Sequence, residues 1–111
     1  MPNKSESIAN KITQKLTRNY GYSFDPFTII MIAGIIINVI RLVYECRKDK
    51  EERVAMLRNP SLIEKIVLRR HIGKACLGTD IKSQDLYREL VGWNLSTAEI
   101  EGLFKEVQKN D

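Results

Sequence analysis

Few residues in this chain carry reaction chemistry. His71 is the only histidine, and it stands beside Arg69 and Arg70. At a helix end an imidazole faces terminal carbonyls, and no partner of a catalytic pair accompanies it. Cys46 and Cys76 lie thirty residues apart, without a CxxC spacing or a nearby histidine pair. They read as two free thiols in a reducing compartment. Cys46 follows directly on an apolar run, where a thiol is open to S-acylation. Asp80 and Asp85 lack paired carboxylates at metal-ligand spacing, and they read as turn and helix-start residues. No Gly-rich phosphate loop, HExxH, GxSxG or acidic calcium loop is present. The chain is expected to be non-enzymatic, with no metal and no cofactor.

Two sets of residues have spacings suited to binding. Lys65, Arg69, Arg70 and Lys74 recur at four, one and four, so they share part of a helix face that phosphates of nucleic acid or lipid would fit. The alternative is a solvated face opposite Leu62 and Ile66. A helix-turn-helix reading of residues 83–107 fails on charge, because Glu99, Glu101 and Glu106 would repel phosphate. The second set is Gly34, Asn38, Arg41 and Glu45, which form one narrow stripe at spacings of four, three and four. In lipid, Gly34 and Asn38 would mark a helix–helix contact with Arg41 beside it. In a protein assembly the same stripe would be the wet edge of a buried helix.

The element that positions this stripe is the run at residues 27–44, FTIIMIAGIIINVIRLVY. Eleven of its residues are Phe, Ile, Leu or Val. Eighteen residues rise about 27 Å, within reach of a bilayer's hydrocarbon thickness. The strong apolar residues contribute roughly −3 to −7 kcal/mol to insertion, and Arg41 opposes this by about 2.5–3.5 kcal/mol at mid-bilayer. Asp25-Pro26 opens the helix as N-cap and first helical residue. Tyr20, Tyr22 and Phe24 precede it, as aromatics do at a bilayer interface. The charged residues after Glu45 extend the helix to about Leu57. A chain of 111 residues can hardly cover so apolar a helix by itself, which leaves lipid or other subunits to do so.

Around this run the pattern is helical throughout. Residues 5–19 place Ile8, Ile12 and Leu16 at a spacing of four among Lys4, Lys11, Lys15 and Arg18, and Gly21 follows as a stop. This basic amphipathic helix lies either on an anionic membrane surface or packed on its own protein or a neighbour. Asn59-Pro60 opens a helix over 60–71, with Leu62, Ile63, Ile66 and Val67 as its buried face; Gly73 and Gly78 loosen the chain after it. A helix over 83–91 carries Leu86, Leu90 and Val91. Ser96-Thr97-Ala98-Glu99 is a capping box for the last helix, with Leu95 stapled on Ile100 and an apolar face of Leu103, Phe104 and Val107. Trp93 reads as a core or interface plug.

The expected class is all-α. A basic N-terminal segment (1–24) precedes the apolar helix with its charged extension (25–58), and a small three-helix unit (60–111) follows. The net charge of +4 and pI near 9.2 favour an acidic surface without naming a partner. The stretch DPFTIIMIAGIIINVIRLVYEC with its charged helical tail resembles small single-span bacteriophage proteins. That resemblance implies a viral membrane or virion role and carries over no functional residues.

The leading expectation is a single-pass membrane protein in a lipid bilayer. It would pair with copies of itself or with a partner helix through Gly34, Asn38 and Arg41. Lys and Arg at positions 47, 48, 50, 53 and 58, against 11, 15 and 18 before the run, would leave the C-terminal part cytoplasmic. The rival is a structural subunit of a virion or of the cytoplasm, its apolar helix buried between copies. A third reading is nucleic-acid binding.

Overall fold

The most apolar segment becomes a 21-residue helix, Pro26–Cys46, and its start is closed as the residue types require. Asp25 accepts the Thr28 N–H at 2.8 Å, and Pro26 occupies the first turn, where a missing N–H costs nothing. This element comes from a computed structural model that describes residues 4–91 and 95–109. Among them are six helices and no strand: α1 (Lys4–Tyr20), α2 (Pro26–Cys46), α3 (Lys50–Arg58), α4 (Leu62–Ala75), α5 (Ser83–Leu90) and α6 (Thr97–Lys109). The fold is therefore all-helical around one long apolar helix. Trp93 lies outside the described residues.

The charged tail does not continue α2. The chain leaves helical geometry at Arg47 (φ −130°, ψ 141°) and restarts after Asp49. Arg53 holds this break. Its guanidinium donates to the Arg47 carbonyl at 2.6 Å and the Tyr44 carbonyl at 3.1 Å, and lies 3.6 Å over the Tyr44 ring. One cation thus satisfies carbonyls that the helix end leaves unpaired.

The chain itself covers one side of α2, burying 39% of its most apolar eighteen residues. α1, α3, α4 and α6 all pack on it. Ile32, Ile36, Val39, Ile40 and Val43 are wholly buried, and Ala33 and Ile35 nearly so. Each large aliphatic side chain removed from water contributes about 1.5–3 kcal/mol. The amphipathic face of α1 turns inward: Ile8, Ala9, Ile12 and Leu16 join the same cluster, which takes residues from all six helices. Of the two alternatives for α1, packing on its own protein is the one observed. The Cα radius of gyration of 13.0 Å fits a globule of this length.

Polar ties fix the order of the helices. Glu106 accepts from the Ser5 N–H at 2.8 Å and from its hydroxyl at 2.9 Å, which joins the start of α1 to α6. The aromatics before α2 have internal work. Tyr22 stacks on Phe24, donates to buried Asp85 at 2.8 Å and accepts the Lys82 N–H at 3.0 Å. The expected capping box of α6 forms, with Ser96 N–H to Glu99 at 2.9 Å and Glu99 N–H to the Ser96 hydroxyl at 3.1 Å. Gly21 adopts the left-handed φ of 80° that stops α1.

Replacing the wholly buried Ile36 by Ala should cost about 2–5 kcal/mol in urea unfolding. A wild-type-like midpoint would mean that α2 is not the packed centre. Partial burial pushes the Glu64 and Glu99 carboxyls up, but hydrogen bonds from Ser61 and Ser96 and the charges of Arg47 and Lys11 outweigh it. Both are held below the 4.5 of a free glutamate. Their contribution to stability is complete above that value and is lost as the pH falls through their lower folded pKa values. Glu64→Gln and Glu99→Gln should therefore flatten the acid side of the stability–pH curve, read by denaturant titration below pH 5.

Candidate docking surface

α4 has two apolar faces, and the fold can bury one. Leu68, Ile72 and Cys76, at successive spacings of four, turn inward, and α5 with Leu86 and Leu90 packs on α4. Leu62, Ile63, Ile66 and Val67, expected as the buried face, are instead 74, 73, 53 and 36 % exposed. The inner stripe ends at Cys76, whose carbonyl accepts the Thr79 hydroxyl at 2.7 Å in the turn that leads to α5. The helix also starts and ends later than expected. Asn59 closes α3, and Ser61 is the N-cap of α4 in a second capping box: its N–H donates to Glu64 at 2.8 Å and its hydroxyl accepts the Glu64 N–H at 3.2 Å. Gly73 lies within the helix, which runs to Ala75, and the chain turns at Gly78 (φ 80°).

The same glutamate anchors the helix sideways. Arg47, at the α2–α3 break, pairs with Glu64 at 2.8 Å. Glu64 is the only acidic residue in α4, so this pair leaves the outward face purely cationic. Lys65, Arg69, Arg70 and Lys74 are all exposed. They do not act as one cluster: Arg69 lies over the Tyr87 ring at 5.0 Å, whereas Arg70 and Lys74 border a groove between α2 and α4. Leu42, Ile66, Val67 and His71 complete its lining, and it encloses about 230 Å³. His71 is thus a half-buried groove residue in mid-helix, away from the terminal carbonyls assumed for it.

The α2 stripe points outward as a unit. Gly34, Asn38, Arg41 and Glu45 are exposed, with Phe27 and Ile30 on the same side. A Cβ at Gly34 would meet no atom within 4 Å, so packing inside the chain does not require glycine there. Cys46 is exposed at the end of α2; Cys76 is buried, and burial pushes its thiol pKa up. Among the described residues no group of three or more His, Cys, Asp or Glu side chains gathers to hold a metal ion. What the surface offers chemically is apolar area beside cations, a pairing suited to docking. The Ser61 capping box, the signal that sequence reasoning passed over, sets where α4 begins.

Comparison with protein-family models, characterised proteins and solved structures returns no match to this chain.

Gly34→Ala should stabilise the chain by about 0.5–1 kcal/mol through helix propensity alone. Leu62→Gln with Ile63→Gln should leave the unfolding free energy within about 1 kcal/mol of wild type, since neither side chain is in the core. A loss of several kcal/mol in equilibrium unfolding would put this face inside the fold.

Proposed function

We propose that this protein is a non-enzymatic helical subunit whose task is to dock another macromolecule, with α2 as the centre of its scaffold. One observation carries the reading. Leu62, Ile63, Ile66 and Val67 stay exposed together on a folded chain that has another complete core. Leaving four aliphatic side chains in water on one helix forgoes stabilisation that a partner would restore on binding. The resemblance to small bacteriophage proteins makes a virion the first assembly to examine.

A second reading keeps α2 as a membrane span, with the C-terminal part cytoplasmic. It is favoured by the length of α2 and by a mean hydropathy of 2.2 over its most apolar eighteen residues. It requires α1, α3, α4 and α6 to give up their contacts with α2. In that state Gly34, Asn38 and Arg41 would face a neighbouring helix.

Alkaline carbonate extraction separates the two. On the docking reading the full chain washes into the supernatant and enters particles or complexes in fixed stoichiometry. Retention in the pellet until detergent is added would move the assignment to the membrane span.

A further inference from the structure

We infer that the outward face of α4 receives an acidic amphipathic helix of a partner protein; this rests on the docking reading above and names its partner's chemistry. Apolar and charged groups on this face lie in line, not in separate stripes. Ile63, Ile66, Arg70 and Lys74 succeed one another at spacings of three, four and four, with Leu62 and Val67 flanking the apolar end. From Ile63 to Lys74 the face extends about 16 Å, the reach of three turns of an opposing helix. The groove beside it is lined by Leu42, Ile66, Val67 and His71 together with Arg70 and Lys74, and its volume of about 230 Å³ has room for an anchoring side chain. The matching surface has apolar anchors over its first turns and carboxylates over the next.

Three other occupants fit worse. A bilayer would take in the whole stripe, including Arg70 and Lys74, whereas a membrane-surface helix keeps its cations on a separate polar face. A phosphate backbone would pair with the cations and return nothing for the four exposed aliphatics. A second copy meeting this face antiparallel would set Arg70 and Lys74 against the apolar end at Ile63 and Ile66 and offer the cations no carboxylate, with Glu64 already held by Arg47.

The test uses the full chain and two labelled synthetic helices. Both carry leucines over the first two turns; one carries glutamates over the next two, and the other carries lysines. Binding is read by fluorescence anisotropy and by amide protection along α4. The glutamate helix should bind, protect α4 and weaken as salt rises. Arg70→Glu with Lys74→Glu, both exposed positions, should weaken it about tenfold or more and confer binding of the lysine helix. Ile66→Gln should weaken whichever helix binds. Equal binding of both helices on α4 would overturn the acidic preference while leaving the docking face in place. Binding to phosphatidylserine vesicles alone would assign the face to lipid. Failure of the glutamate helix to bind would overturn the inference.

Discussion

A helix as apolar as α2 cannot meet water on all sides, and four of the other helices are arranged to answer that constraint. Its Ile32, Ile36, Val39, Ile40 and Val43 are shielded by α1, α3, α4 and α6, and the polar stripe from Gly34 to Glu45 is left outward. The break at Arg47 follows from the same demand. A helix continuing straight would carry α3 away from α2, whereas the turn returns Met56 and Leu57 to the core.

Several of the polar groups that hold this arrangement serve twice. Glu64 closes the capping box of α4 and pairs with Arg47 across the α2–α3 break. Glu99 closes the box of α6 and pairs with Lys11 of α1 at 2.9 Å. Arg53 joins two carbonyls and an aromatic ring. Coupling a local helix start to a distant partner lets a short chain specify both its helix boundaries and their packing order.

α4 is where local and global demands diverge. Both of its faces satisfy the rule for a buried helix, so periodicity gives no preference between them. Leu68 and Ile72 are selected because α5 must pack somewhere, and the cost is the exposure of Leu62, Ile63, Ile66 and Val67. Such conflicts between levels concentrate where a surface has a task beyond stability.

The helices other than α3, most of their starts, the Asp25 and Ser96 caps and the stop at Gly21 were legible in the residues, because capping and propensity act over a few neighbours; the break that separates α3 from α2 was not. The cationic quartet at Lys65, Arg69, Arg70 and Lys74 was legible as a spacing, though not its division between Tyr87 and the groove. Three things depended on the tertiary structure: that one side of α2 is covered by its own chain, that α1 turns inward, and which face of α4 is exposed. Each is a competition among segments distant in sequence for one shared core. Its outcome rests on which apolar surfaces can reach one another once the turns are made, and no local pattern encodes that.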